Sequence, residues 1–307
     1  MPHNWTTADI PDLTGKIAIV TGANSGLGYE TSLALAQKGA HVVMACRNPQ
    51  KAENSKVEIL KHAPNASVEL AALDLSSLAS IREFSAAFKA KHNKLDILIN
   101  NAGLMAIPQS KTADGFESQI GVNHLGHFAL TGLLLSHLLA APGSRVVNVS
   151  SQAHTAGKIK FDDLQSEKSY SRFGAYSQSK VANIFFTREL QKRLDHAGAP
   201  ILSVVAHPGV AATNLFSFGF GPLNAIAKFF VGLFGQSAAM GALPQLYAAV
   251  APDVQGAEYF GPRSGMKGYP GRVNPVPYAL DEQVGARLWE VSEQLTNVHY
   301  DDLRVLG

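Results

Sequence analysis

Short, almost wholly apolar runs alternate along this chain with longer segments whose apolar residues recur at helical spacing. The first run, KIAIVTG at 16–22, is rich in β-branched residues and ends at a glycine, which predicts a buried strand. GLGYETSLALAQKGA follows as a helix that stops at Lys38-Gly39. HVVMACR at 41–47 is the next strand, and Pro49 opens a charged helix running to about residue 62. The alternation then repeats. SVELAALDL, LDILINNAG, SRVVNVSS and ILSVVAHPG read as strands, and helices are expected over about 77–91, 115–139 and 173–194. Helices are expected over most of 214–250 and a last short strand at GAEYFGP. Asp281 is expected to cap a terminal helix with Val284, Leu288, Val291 and Leu295 on one face.

Near-continuous apolar strands separated by helices predict a mainly parallel sheet of about seven strands, covered by helices on both faces. The expected fold class is α/β, a single doubly wound Rossmann-type domain over residues 1–307. No repeat or Pro/Ser-rich linker divides the chain. Such sheets bind ligands at the carboxyl ends of their strands, so candidate residues are sought there.

The loop TGANSGLG joins the first strand to the first helix. Gly22 permits the tight turn, Gly26 lets a phosphate reach the backbone, and Gly28 lets the helix approach the sheet. The whole loop, with Asn24, Ser25 and Leu27, is assigned to a dinucleotide. It is neither a G-x-S-x-G elbow nor a G-x4-G-K-[ST] loop. An acid about 20 residues further on would hold a ribose 2′-hydroxyl. Here the second strand ends in Cys46-Arg47-Asn48, and the arginine suits a 2′-phosphate. NADP is expected, with NAD as the alternative.

YSRFGAYSQSK at 170–180 carries a second kind of chemistry. Tyr176 and Lys180 are spaced to share a helix face, whereas Tyr170 has Gly174 four positions on. A tyrosine beside an ammonium is expected to have a lowered pKa and to exchange a proton with a carbonyl or alcohol oxygen. Asn101-Ala102-Gly103, Ser150-Ser151 and Pro208-Gly209 close the fourth, fifth and sixth strands, and Asn123 lies in the helix after the fourth.

Taken in order, TGANSGLG, NNAG, NVSS, YSQSK and HPG resemble the short-chain dehydrogenase/reductase family over roughly 14–215. The finer pattern ACRN, VNHLGHF, NVSSQAH, FDDL, YSQSKVAN and AHPG is similar to its retinol dehydrogenase-like and WW-domain oxidoreductase-like branch. The resemblance implies that Tyr176 is the acid/base and that Lys180 holds the nicotinamide ribose. It implies that Ser151 bonds the substrate oxygen and that Asn123 holds a relay water. Asp74, with Leu75, would meet the adenine, and Asn101 and Gly103 the adenosine side. Val210 and Thr213 would meet the carboxamide or pyrophosphate. One departure stands out: Ser151 and Tyr176 lie 25 positions apart, about twice the separation in the commonest members. The inserted loop, about 155–170, must fold away for the two to meet.

His154, near Ser151, either lines the substrate pocket or faces solvent. The histidines form neither H-E-x2-H nor a Cys/His array, and the His124/His127 pair alone is a poor ligand set, so no metal is expected. NLFSFGFGPLNAIAKFFVGLFG at 214–235 opens a helical segment, 214–250, expected as an apolar lid. Core packing and a contact surface are the other readings. The lid implies a hydrophobic carbonyl or alcohol substrate.

Net charge is +2 without long runs of one sign, which excludes a nucleic-acid surface. The single cysteine, Cys46, points to a reducing compartment, and a cytoplasmic location is expected. The first residues lack signal-peptide character, and His137 and Lys228 interrupt the longest apolar stretches, so no transmembrane helix is expected. The resemblance implies a homo-oligomer, dimer or tetramer. The leading expectation is an NADP-dependent oxidoreductase interconverting carbonyl and alcohol. The alternatives are a non-catalytic NADP-binding sensor and a sugar-nucleotide epimerase, whose family also has a Tyr-Lys pair.

Overall fold

The computed structural model describes residues 3–209 and 236–306. Eight strands are hydrogen-bonded in the order β3-β2-β1-β4-β5-β6-β7-β8. They are β1 Ile17–Thr21, β2 His41–Cys46, β3 Val68–Ala72, β4 Ile97–Asn100, β5 Ser144–Val149, β6 Ile201–Ala206, β7 Tyr259–Pro262 and β8 Pro270–Arg272. All pairs are parallel except β7 with β8. The helices are α1 Gly26–Gln37, α2 Pro49–His62, α3 Leu78–Lys91, α4 Ser118–Ile120, α5 Gly126–Leu133 and α6 Leu135–Leu139. They continue with α7 Arg172–His196, α8 Ala238–Val250, α9 Glu282–Thr296 and α10 Asp301–Leu306. A single π-type turn, Gly121–Leu125, joins α4 to α5.

The strands are apolar at nearly every position because both faces of the sheet are covered. Alternate residues divide between two cores. Ala18, Val20, Val42, Met44, Ile97 and Ile99 face α1, α2 and α8, meeting Leu35, Ile59 and Leu246. Ile19, Val43 and Leu98 face the other way, against Phe84 and Phe88 of α3, Phe128 of α5 and Leu190 of α7. Asp281 caps α9 as expected, accepting from the N–H groups of Gln283 and Val284. Leu288 is buried, and Val284, Val291 and Leu295 pack beside it.

Two short elements lie beyond the expected pattern, β8 and α10. The segment 214–250 also reads differently where it is described. Residues 214–235 lie outside the described residues. Helix α8 is core rather than lid, because Ala242, Leu243 and Leu246 are buried against the sheet with Ala34 and Leu35. The chain order reverses between β1 and β4, and the crevice at their carboxyl ends is the place for a ligand.

Candidate active site

The loop after β1 has the backbone its glycines predict. Gly22 and Gly26 adopt φ of +66° and +53°, the left-handed region that favours glycine. α1 begins at Gly26, so its free N–H groups open towards the crevice. A Cβ at Gly28 would strike the Gly22 carbonyl oxygen and come within 2.7 Å of Asn101 Nδ2.

A cavity of about 690 Å³ fills the crevice. Its wall includes Gly22, Asn24, Ser25, Gly26, Leu27 and Gly28 from the loop, and Arg47 and Asn48 after β2. Asp74 and Leu75 after β3, and Asn101, Ala102 and Gly103 after β4, complete the expected set there. Asp74 also organises its own turn, accepting from the N–H and hydroxyl of Ser76 at 2.9 and 2.6 Å. Lys51, Asn54 and Ser55 share the wall and were not anticipated. Lys51 sits in the first turn of α2, its N–H capped by Asn48 Oδ1 at 2.9 Å, and gives Arg47 a second exposed cation for company. The signal for it was the helix start at Pro49, which places Lys51 within a turn of Arg47. Ser55 ties α2 to the loop by donating to the Asn24 carbonyl.

The cavity meets the second cluster at Gly103. A Cβ there would lie 3.1 Å from Asn123 Oδ1 and 3.4 Å from Lys180 Nζ. Asn123, fully buried in the π-type turn, accepts from the Leu104 N–H at 2.7 Å. Its Nδ2 donates to the Leu104 carbonyl at 2.9 Å and to Ser179 Oγ at 2.8 Å. The amide thereby locks the segment after β4 to the helix that carries Tyr176. The Asn123 carbonyl accepts from His127 Nδ1 at 3.1 Å. His127 Nε2 therefore accepts from the Thr21 hydroxyl at 3.0 Å, a hydroxyl also within 3.3 Å of the Ile99 carbonyl, while Thr21 Oγ1 accepts from the N–H groups of Asn101 and Ala102. Burial pushes His127 down to about 4. His124 turns elsewhere, its Nε2 2.9 Å from Ser292 Oγ.

Ser151 and Tyr176 are brought together. The Ser151 hydroxyl comes close enough to the Tyr176 phenol to oppose the rise in its pKa, although the loop between them is long. That loop folds into two short turns, Gln152–Ala156 and Phe161–Asp163, held from α7. Gln178 accepts from the Lys160 N–H and donates to the Leu164 carbonyl. Tyr170 belongs to the loop's far end, where its hydroxyl donates to the Ile107 carbonyl.

The expected lowering of the Tyr176 pKa by Lys180 is not what the geometry produces. Burial raises the phenol, and the opposing influence is the Ser151 hydroxyl. Lys180 Nζ lies 5.7 Å from the Tyr176 ring centroid and donates to the Val149 carbonyl at 3.0 Å. Burial pulls Lys180 itself down to about 8.

His154 does not face solvent; it is buried behind Ser151. Its Nδ1 carries the proton, because it bonds the Ser151 carbonyl at 2.7 Å and a carbonyl only accepts. Its Nε2 meets no partner among the described residues. Tyr259 of β7, not anticipated, is buried beside it: its hydroxyl lies 3.4 Å from His154 Nδ1, and its ring takes edge contacts from His154 at 5.5 Å and His207 at 5.3 Å. Pro208 and Gly209 follow β6, the former accepting from Gln236 Nε2 at 2.8 Å. Val210 and Thr213 lie outside the described residues.

Known proteins are similar to this chain. Residues 16–218 match the short chain dehydrogenase family. Human retinol dehydrogenase 12 is 45% identical over 291 residues, 94% of this chain and 89% of that protein. Human retinol dehydrogenase 13 is 43% identical over 304 residues, 95% of this chain and 88% of that one. The crystal structure of an uncharacterized protein from Mycobacterium paratuberculosis is 43% identical, with a TM-score of 0.82, covering 97% of this chain and 99% of that one. RhlG of Pseudomonas aeruginosa, solved with NADP in its active site, is 25% identical, with a TM-score of 0.63 over 81% of this chain and 95% of that one. With the glycine cradle opening at Gly103 onto Lys180, these likenesses place the chain in the short-chain dehydrogenase family, in its retinol dehydrogenase-like branch, as an NAD(P)-dependent oxidoreductase.

Proposed function

We propose that the chain interconverts a carbonyl and an alcohol with NADP as its dinucleotide, on a hydrophobic, retinoid-like substrate. The observation that carries the reading is a cavity, cationic at one end, that opens at Gly103 onto Asn123 and Lys180, the cation of the helix that also carries Tyr176. The cavity residues fit a dinucleotide. Gly28 lets α1 approach the end of β1, and the start of α1 can receive a pyrophosphate. Arg47 and Lys51 support NADP over NAD, since the end of β2 offers cations and no acid. The retinoid class is supported by the retinol dehydrogenase relatives.

When bound, the nicotinamide supplies a hydride to the carbonyl carbon or takes one back. Tyr176 gives its hydroxyl proton to the substrate oxygen in reduction and removes it in oxidation. Burial keeps that phenol protonated near neutrality, so it is held ready as an acid. Ser151 accepts from the Ala153 N–H at 3.2 Å, which leaves its own proton to orient the substrate oxygen. Lys180 would hold the ribose hydroxyls, anchored meanwhile by Val149.

No helix among the described residues is long and apolar enough to cross a membrane. The cytoplasmic location rests on the single, buried Cys46, and homo-oligomerisation on the family resemblance. The test is Tyr176→Phe in an NADPH-consumption screen over aldehydes and ketones of graded hydrophobicity. Turnover is expected to fall at least a thousandfold with NADPH binding retained. Unchanged turnover removes Tyr176 from the mechanism, and a preference for small polar carbonyls removes the retinoid-like substrate.

A further inference from the structure

The end of the sheet opposite the active site carries a separate cluster. His41 is the first residue of β2, and Glu69 lies in β3. Glu69 is paired with Val43, which shares its strand face with His41, so both side chains project on the α3 side of the sheet. His92 ends α3 on that same side, its ring tilted against Phe88 with centroids 4.7 Å apart. Three elements thus deliver two imidazoles and one carboxylate to a single point.

The distances are those of a ligand set. His41 Nε2 and His92 Nε2 each lie 3.2 Å from the same oxygen, Glu69 Oε2, and the three atoms fall within 4.8 Å of one another. A tetrahedral zinc ion with bonds of about 2.0–2.2 Å separates its ligand atoms by roughly 3.3–3.5 Å. The two contacts to Glu69 are within a few tenths of an ångström of that separation, and the two imidazole nitrogens lie within 4.8 Å of each other. His41 has the outer partner that orients a ligating imidazole, with Nδ1 2.7 Å from Ser67 Oγ. When Nδ1–H donates to Ser67, the Nε2 lone pair points at a carboxylate oxygen, and only a proton or a cation between them makes that contact favourable. Lys91 takes the other oxygen, Oε1, at 2.8 Å, leaving Oε2 for a one-oxygen ligand bond. The side chains are partly shielded, at 11% exposed for His92, 19% for Glu69 and 29% for His41.

We propose that His41, Glu69 and His92 form a binding site for a divalent transition-metal ion, zinc by preference, that fastens the outer strand β3 to β2 and to the end of α3. A donor set of two nitrogens and one oxygen suits zinc and disfavours magnesium or calcium. β3 is the outermost strand, and its residues are only half-buried or exposed, so it is where a fastening has most effect.

The test uses the untagged full chain, stripped with a chelator and titrated with zinc chloride in a calorimeter. One ion per chain is expected, with micromolar or tighter affinity, and a rise of a few degrees in Tm at saturating zinc. His92→Ala and Glu69→Gln should each weaken binding at least tenfold and abolish the Tm shift, while His62→Ala, on the exposed face of α2, leaves both unchanged. Circular dichroism checks that each variant is folded, and His41→Asn replaces any that is not. Absence of micromolar binding, or binding that survives these substitutions, overturns the proposal.

Discussion

The ammonium of Lys180 donates to the main-chain carbonyl of Val149 at 3.0 Å, fastening the middle of α7 to the end of β5. The bond is reinforced from both sides. Asn183 Nδ2 donates to the same carbonyl at 3.1 Å, and Ser150 Oγ donates to the Lys180 carbonyl at 2.8 Å. A buried cation is held where Ser151 and Tyr176 meet, and the desolvation that position imposes is what brings it down to about 8.

That shift fixes a dependence of stability on pH. The unfolded lysine titrates near its ordinary 10.5, the folded one near 8. Below about pH 8 both are charged and the burial penalty is present in full. Between these values the unfolded chain binds more protons, so this contribution makes the fold more stable as pH rises. The gain is on the order of 3 kcal/mol by pH 10. Urea unfolding at pH 7.5 and pH 10 should show wild type gaining stability relative to Lys180→Met. A constant difference between the two would refute the assignment.

The cationic end of the cavity predicts cofactor choice. Arg47→Ala and Lys51→Ala should each weaken NADPH binding about tenfold, the loss of one charge-assisted phosphate contact, and leave NADH binding within about twofold. Arg47→Asp should reverse the preference by adding an acceptor for a ribose hydroxyl. Nucleotide fluorescence titrations measure all three. A parallel loss of NADH affinity would mean the residues support the cavity wall without reading the phosphate.

The sequence was most readable where local chemistry is strong. Gly22, Pro49 and Asp281 each punctuate the chain where the structure turns or starts a helix. Pro270-Gly271-Arg272 was not readable as a strand, because those residue types are poor strand formers. It is held by antiparallel pairing with β7, Phe260 opposite Arg272. How the inserted loop folds away to bring Ser151 near Tyr176 was equally hidden. It depends on Gln178 reaching from α7 to Lys160 and Leu164, and on Tyr278 accepting from the Ile159 N–H. These are contacts between distant positions, which no local pattern encodes. The direction of the Tyr176 shift was misjudged for a related reason, since spacing along a helix says nothing about where the Lys180 ammonium finds its acceptor.

Acid should unfold the protein through its buried histidines. Burial holds His124 down to about 3 and His127 and His207 down to about 4, against an ordinary 6.5. Folded pKa values below the unfolded one mean stability is complete above about 6.5 and is lost as pH falls towards 4. His124 lies among Phe128 and Phe186, with ring centroids at 6.3 and 6.0 Å, so a phenylalanine fits its surroundings. His124→Phe should lower the midpoint of acid unfolding. A variant as acid-sensitive as wild type would show that this ring does not contribute.

Two glycines predict opposite outcomes for one substitution. At Gly28 an added methyl meets the Gly22 carbonyl oxygen and Asn101 Nδ2. Neither can retreat cheaply. The Gly22 N–H is bonded to the Ala45 carbonyl at 2.9 Å, and Asn101 Nδ2 to the Thr21 carbonyl at 2.8 Å. α1 would have to move off the sheet at the crevice, so Gly28→Ala should lose about 1–3 kcal/mol of stability and at least tenfold in NADPH affinity. At Gly285, inside α9, the nearest atoms to an added methyl are Phe185 Cδ1 at 3.6 Å and Glu189 Oε2 at 4.0 Å, ordinary contact distances. Gly285→Ala should therefore stabilise by about 0.5–1 kcal/mol, the difference in helix propensity, and leave NADPH binding untouched. Thermal unfolding with and without NADPH separates the two effects. If both variants were destabilised alike, the close approach of α1 to the end of β1 would not be what demands a glycine at 28.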